Sequence, residues 1–293
     1  MDERDALSLV AGAVPGAGDD AAVIDGTVLT IDMLHERADF PPGISRYTAG
    51  WHAVGISLSD VAAMGADADA TVAAYGAPSF DDEALAAFVG GAQDVTDAAG
   101  GTYVGGDLDH HREFTVATAA VGSTADPVTR DGATPGEVVC VTGELGRSAA
   151  GVRALEAGAV AAGNDLFQFT PRVVAGRALA EAATAMMDSS DGLARSLHQL
   201  AAASDVGFAV DGDAVPVVDA LETYLGIGSS LLETALTYGG DFELVCTLPE
   251  SAVEPAQEAL DVPLTVVGEV RESAAGITLD GEPLADEGYT HEG

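Results

Sequence analysis

Short apolar, β-rich runs in this chain keep ending at aspartates flanked by glycine or serine, and that placement limits the possible folds more than any other feature. Gly16-Ala17-Gly18-Asp19-Asp20-Ala21 sets two carboxylates on a glycine-rich loop before one run, and Thr30-Ile31-Asp32 closes the next. Asp25-Gly26 between them is a pair favoured in tight hairpins, which would bring Asp32 near Asp20. Val104-Gly105-Gly106-Asp107 follows another run, where paired glycines would let a phosphate approach the backbone. Met186-Met187-Asp188-Ser189-Ser190-Asp191-Gly192 leads from an apolar strand into a helix; its Ser/Asp pair reads equally well as a helix N-cap. Tyr238-Gly239-Gly240-Asp241-Phe242-Glu243 repeats the Gly-Gly-Asp theme before a strand. Ser57-Leu58-Ser59-Asp60 lies inside an otherwise apolar helix, where an unpaired carboxylate is costly to bury.

Between these points the first half alternates strand-like and helix-like segments. AAVIDGTVLTID holds two strands, Val54, Leu58, Val61 and Met64 have helical spacing over Arg46–Met64, and Gly65 suits the helix end. TVAAYGA reads as a strand, 81–99 as a helix, and TYVGG and FTVATAAVG as strands. The turn cluster DGATPG marks a boundary, which predicts domains at 1–134 and 135–293. The second half reads as strand EVVCVTG, a helix at 147–157, a helix from Pro171, strand AMMD, a helix from about Asp191, and strands near 206–211, 242–248, 262–270 and 276–279. With 293 residues and 47% hydrophobic composition, two α+β domains are expected.

Charge narrows the chemistry. Eleven basic against 48 acidic residues give a net charge of −37, which would repel nucleic acid and anionic lipid, so neither is an expected partner. Most of the excess reads as solvation in a high-salt, halophilic cytoplasm. All 11 basic residues are Arg; without Lys there is no P-loop, no protein-kinase strand lysine and no Schiff base. Phosphate, if handled, falls to metal ions, Arg or helix N-termini. Mg²⁺ takes carboxylate oxygens and bridges substrate phosphates, and phosphoryl transfer demands positioning and charge neutralisation, with no covalent nucleophile expected. No run reaches the roughly 18 apolar residues of a membrane span. The N-terminus is acidic where a secretory signal would be basic, and Cys140 and Cys246 read as buried free thiols, so the expected compartment is the cytoplasm.

In the order GAGDDAAVI, LTIDML, SLSDVAAMGAD, VGGD, VTRDGATPGEVVCVTGELGRSAAG, MDSSDGLARSLHQLAAASDVG and GGDFELVCTLP, nearly the whole chain resembles the thiamine-monophosphate kinase family. That family sits in a superfamily with aminoimidazole ribonucleotide synthetase, selenophosphate synthetase and a hydrogenase-maturation protein. The resemblance implies a two-domain aminoimidazole ribonucleotide synthetase-like (PurM-like) fold. The N-terminal domain would form a β-barrel with its copy in a homodimer, and a C-terminal α/β domain would complete the site. It implies in-line transfer of the ATP γ-phosphoryl to thiamine monophosphate, giving thiamine diphosphate, with several Mg²⁺ ions. The implied metal ligands are Asp20, Thr30, Ile31, Asp32, Asp60, Asp107, Asp188 and Asp191, with Thr30 and Ile31 offering side-chain or backbone oxygen. Gly106, Asp107, Arg130 and Ser190 match nucleotide contacts. Asp39, Gly240 and Tyr289 fall at acceptor positions, and there the chain departs from the family: Ala38-Asp39-Phe40 stands for Asn-His-Phe, and Gly239-Gly240-Asp241 for Gly-Glu-Asp.

Three other readings compete: another ATP-using synthetase of the superfamily, a non-catalytic nucleotide-binding protein on the same scaffold, and a metal-dependent phosphoesterase. The last arises from Asp109-His110-His111, whose histidines otherwise read as a solvated loop. Trp51, His35, His52 and His198 read as packing or surface residues.

Overall fold

A computed structural model describes residues 9, 10, 12–14, 16–226 and 229–290. The chain builds two sheets around a central buried helix. β1 (Ala22–Ile24) turns through Asp25 and Gly26, both at positive φ, into β2 (Thr27–His35), so the expected tight hairpin forms. A short helix α1 (Glu36–Asp39) and a loop lead to α2 (Arg46–Ala63), capped by the Ser45 hydroxyl, which accepts from the Thr48 amide at 3.0 Å. Gly65, at φ +64°, follows its last turn. β3 (Asp67–Ala77), α3 (Asp82–Ala98) and β4 (Thr102–His110) form a parallel crossover unit, and β5 (Thr115–Ser123) inserts antiparallel between β2 and β3. The sheet order is β1-β2-β5-β3-β4, and it is open at both edges.

The second sheet has the order β12-β11-β8-β10-β6-β9-β7. Its strands are β6 (Val138–Thr142), β7 (Ala185–Asp188), β8 (Val206–Val210), β9 (Leu244–Leu248), β10 (Leu264–Glu272), β11 (Ile277–Leu279) and β12 (Glu282–Pro283). β6, β7 and β9 are buried throughout, consistent with their unbroken apolar sequences. The flanking helices include α4 (Arg147–Glu156), α5 (Val160–Phe167), α6 (Val173–Leu179) and α7 (Leu193–Ser204). Cys140 and Cys246 face each other in register on β6 and β9 as buried free thiols.

α2 is buried on nearly every side: it packs on α3, β2, β3 and β5 in the first half and on α6 and β7 in the second. Gly50 and Gly91 let α2 and α3 touch backbone to backbone; a Cβ on Gly50 would stand 2.1 Å from the Phe88 carbonyl oxygen. The core of the first half sits between this helix pair and one sheet face. The other face is uncovered and apolar, with Leu29, Ile31 and Met33 of β2, Val72 of β3 and Val104 of β4 exposed.

Several sequence expectations need correction. Gly105-Gly106-Asp107 does not end a strand: β4 runs on to His110, so these residues lie within an edge strand. The reason is a bulge opposite Thr71 and Ala73, where Gly106 lies so close that a Cβ would meet the Ala73 carbonyl at 1.7 Å. His110 therefore sits on a strand, stacked on Phe80 at 4.7 Å. The helix after Pro171 starts two residues later, because Arg172 turns its side chain inward to the buried Glu243. Helices at Val160–Phe167, Asp219–Tyr224, Leu231–Thr237 and Val253–Ala259 are absent from the sequence reading, all short and weakly periodic. Among the described residues no helix is long and apolar enough to cross a membrane.

Candidate active site

α2 collects the carboxylates. Thr30 and Asp32 point from β2 toward it, and Ser57, Ser59 and Asp60 meet them from the helix. The Ser57 hydroxyl donates to Asp32 Oδ2 at 2.7 Å, Ser59 donates to Asp188 Oδ2 at 2.6 Å, and the Thr30 hydroxyl donates to Asp60. Asp188 ends β7 and is 2% exposed. Asp20 enters from the glycine-rich loop and takes a two-pronged ion pair from Arg130, Nε to Oδ2 at 3.0 Å and a terminal nitrogen to Oδ1 at 2.7 Å. One oxygen each from Asp20, Asp60 and Asp188 lie within 4.8 Å of one another.

Such crowding has an electrostatic cost. Burial, with Asp32, Asp188 and Asp20 close by, holds the Asp60 carboxyl well above the usual range; burial also raises Asp32. Asp188 is pushed up to about 8 by burial and then by Asp20, against hydrogen bonding from Ser59 and the charge of Arg130. Asp19 is raised to about 6 by burial and Asp20, although it accepts from the Arg130 amide at 3.2 Å. One guanidinium serves this group, fewer than its carboxylates need, and a divalent cation would relieve the repulsion. The donors are all oxygen, the set that suits Mg²⁺. Directly after β7 the Ser189 hydroxyl is buried with no hydrogen-bond partner among the described residues.

Next to the carboxylates opens a cavity of about 440 Å³, walled by Asp32, Asp39, Ile56, His52, Phe167, Ser190, Asp191, Gly240, Phe242 and Tyr289 among others. Its floor is built by zipping three segments together. Ser189 and Ser190 carbonyls accept from Phe242 and Gly240, and the Asp191 carbonyl accepts from Tyr289. Asp241 then turns inward: its carboxylate accepts from the Gly146 amide at 2.6 Å and the Ser148 amide at 2.9 Å at the start of α4, and burial pushes it up to about 7. Glu243 is buried against Arg172 and Thr142.

A thiamine-monophosphate kinase of Halobacterium salinarum is 62% identical over 291 residues, spanning 99% of this chain and 100% of that relative. The chain belongs to the thiamine-monophosphate kinase family. A second family member, from Methanospirillum hungatei, is 40% identical over 303 residues, covering 99% of each chain. Family models for AIR synthase related proteins match residues 18–124 with the N-terminal domain and 134–280 with the C-terminal domain. The solved structure of AaThiL complexed with AMPPCP and TMP aligns with a TM-score of 0.90 at 26% identity, covering 99% of this chain and 97% of that one. The two-domain fold is thus that of the kinase family.

Of the expected kinase-family metal ligands, the structure brings together Asp20, Thr30, Asp32, Asp60 and Asp188. Asp191 lines the adjoining cavity with Ser190. Ile31 turns a 75% exposed side chain to the uncovered sheet face, so any oxygen it offers is its backbone carbonyl. Gly106 and Asp107 stand apart from the cluster. Asp32, Thr118, Ala73 and Gly106 form one row across β2, β5, β3 and β4, so Gly106 is three strand spacings, about 14 Å, from Asp32. Asp39, Gly240 and Tyr289, expected at acceptor positions, share the cavity wall. The Ser/Asp pair at 189–191 is not a helix cap: α7 begins at Leu193 with Gly192 in the N-cap position and no side-chain cap. Asp109, His110 and His111 join no metal-ligand cluster among the described residues.

Sequence reasoning placed Asp19 on the glycine-rich loop without giving it a role, quoted Ser57 and Ser59 only as neighbours of Asp60, and read His52 as a packing or surface residue. The signal for Ser57 and Ser59 was present, since both flank Asp60 in a helix otherwise apolar, and His52 stands two turns before it.

Proposed function

We propose that this chain catalyses ATP-dependent phosphorylation of thiamine monophosphate to thiamine diphosphate. The observation that carries this reading is the junction of a three-carboxylate cluster with an aromatic cavity of about 440 Å³, in a chain 62% identical to a kinase of that name. Asp20, Asp32, Asp60 and Asp188, with Thr30 and the Ile31 carbonyl, would hold Mg²⁺, and Asp191 would add a ligand at the cavity mouth. When bound, the ions supply charge neutralisation for the ATP phosphates and the acceptor phosphate. The residues do the rest: Ser57 and Ser59 orient two carboxylates, Arg130 balances Asp20, and Ser190 and Gly106 serve the nucleotide. The cavity walls at Asp39, Gly240 and Tyr289 hold the acceptor so that its phosphate lies in line with the γ-phosphate.

The same reading makes the protein a homodimer. The uncovered apolar face of the first sheet, the unpaired outer edge of β4 and the β2 edge beyond β1 are the surfaces a shared barrel would close. Asp107 then reaches the carboxylate cluster of the other subunit, which reconciles its place in the metal set with its distance from Asp32. Domains divided at 134/135 and a cytoplasmic location, where free thiols persist, complete the proposal.

The test is to incubate the purified protein in concentrated KCl with ATP and Mg²⁺, offering thiamine monophosphate, thiamine, an aminoimidazole precursor and selenide in turn. Thiamine diphosphate forming only with the first is expected. Phosphate release from phosphoesters without ATP would replace this reading with the phosphoesterase.

A further inference from the structure

His52 lies in the cavity wall, 6% exposed, and nothing in the phosphoryl-transfer chemistry uses it. Its ring is fixed on several sides: stacked on Phe167 at 4.2 Å and meeting the edges of Phe169 at 5.4 Å, Phe242 at 5.8 Å and Phe40 at 6.3 Å. Nδ1 lies 3.2 Å from the Phe167 carbonyl oxygen. A carbonyl only accepts, so Nδ1 carries the hydrogen. Burial lowers the imidazole to about 4 and keeps it neutral, leaving a lone pair on Nε2. Among the described residues the one fully buried polar side-chain atom without a partner is Ser189 Oγ, and none of them hydrogen-bonds Nε2, so Nε2 opens into the cavity that His52 lines. A fixed neutral acceptor in an aromatic chamber demands an N–H or O–H donor from whatever fills it.

The helix supplies a distance as well. His52, Ile56 and Asp60 follow one another at four-residue spacing along the same face of α2, Ile56 also lines the cavity, and Asp60 belongs to the carboxylate cluster. Eight residues of helix set the backbone positions of His52 and Asp60 about 12 Å apart along the axis. An acceptor with a phosphate at one end, an amine at the other and two rings between fits that span.

We propose that His52 is a specificity-determining residue: its Nε2 accepts a hydrogen bond from the exocyclic amine of the acceptor's aminopyrimidine ring, while α2 sets the separation between that ring and the metal carboxylates. The inference rests on thiamine monophosphate being the acceptor. A substrate carrying a carbonyl oxygen in place of the amine turns a second lone pair toward Nε2 and loses the contact. The contact is remote from the reacting phosphate, so its loss raises KM more than it lowers kcat.

The experiment compares thiamine monophosphate with its 4-oxo analogue, oxythiamine monophosphate, in the wild-type protein, His52→Phe and His52→Gln at saturating ATP and Mg²⁺. The wild type is expected to favour the amine in kcat/KM by roughly tenfold to a hundredfold. His52→Phe should lose most of that preference through KM for the amine, with the KM for ATP unchanged. His52→Gln, whose amide oxygen can accept, should regain part of it. An undiminished preference in His52→Phe, or a wild type that takes both acceptors equally, overturns the proposal; the second result decides the matter even where His52→Phe fails to fold. A wild type that makes no thiamine diphosphate from the amine refutes the kinase reading instead.

Discussion

Replacing His52 by a side chain that cannot titrate should flatten the acid limb of the stability profile. In the fold its ring is lowered to about 4 from an ordinary 6.5, because burial penalises the charged form more than the Phe167 carbonyl supports it. The group's folded value is depressed, so the unfolded chain binds the extra proton and stability falls as pH drops below 6.5, levelling off below about 4. At pH 5 the unfolded ring is almost fully protonated and the folded one almost fully neutral, so the wild type loses about 2 kcal/mol from this residue relative to pH 7.5. Asp32, Asp39, Asp191, Arg37, Tyr238 and Tyr289 line the same cavity, but they are common to all variants and largely cancel in the difference.

The assay is urea unfolding in concentrated KCl at intervals from pH 5 to 7.5, for wild type, His52→Phe and His52→Gln. Trp51, the single tryptophan, reports well because its indole N–H is bonded to the Phe169 carbonyl at 2.5 Å, across the seam between the two halves. The stability gap between wild type and each variant should shift by about 2 kcal/mol across this range, in the same sense for both replacements. Gaps that stay constant within about 0.4 kcal/mol would refute the reasoning, since that is the scatter expected of independent changes. They would mean that the ring is protonated as readily in the fold as outside it.

Other outcomes follow from the carboxylates. Asp60→Asn and Asp107→Asn should each be nearly inactive; mixed and re-equilibrated, they should recover roughly a quarter of wild-type turnover if Asp107 serves the partner's site, because half the dimers are mixed and each carries one intact site. No recovery would return Asp107 to its own subunit. In thermal melts after EDTA treatment, Asp60→Asn should melt above the wild type, as one member of a repelling buried group is gone; Mg²⁺ at a hundredfold excess over its Kd should stabilise the wild type by about 3 kcal/mol and the variant far less. Arg172→Leu strands the buried Glu243 carboxylate and should cost about 3–5 kcal/mol in urea titration, with Glu243→Gln in the same background restoring most of it.

How much of this site was legible in the sequence depends on what holds each residue. Asp20, Asp32, Asp60 and Asp188 stand beside glycine, serine or strand ends, local signals that survive in a chain with 48 acids. The elements carrying them are long or strongly apolar, and their type was readable for the same reason. Asp241 shows where local signals mislead: it carries the same Gly-Gly-Asp motif as Asp107, yet its carboxylate is spent on the amides of Gly146 and Ser148, nearly 100 residues away in sequence. The short helices after 159 bury small faces and leave almost no periodicity to read.

Register is the deeper limit. The family resemblance implies one metal site for Asp32 and Asp107, and a linear sequence has no means of showing that β5 and β3 stand between their strands. Given the order β2-β5-β3-β4, the homodimer proposed above would close the sheet on a second copy and bring β4 of one subunit to the β2 edge of the other, so that both residues would serve one site. The apolar side chains left exposed on that sheet face, Leu29, Ile31 and Met33, alternate with the inward Val28, Thr30 and Asp32 along the same strand. A single strand therefore has two different faces: one turns Thr30 and Asp32 toward α2, and the other holds the exposed apolar side chains that the proposed homodimer would cover.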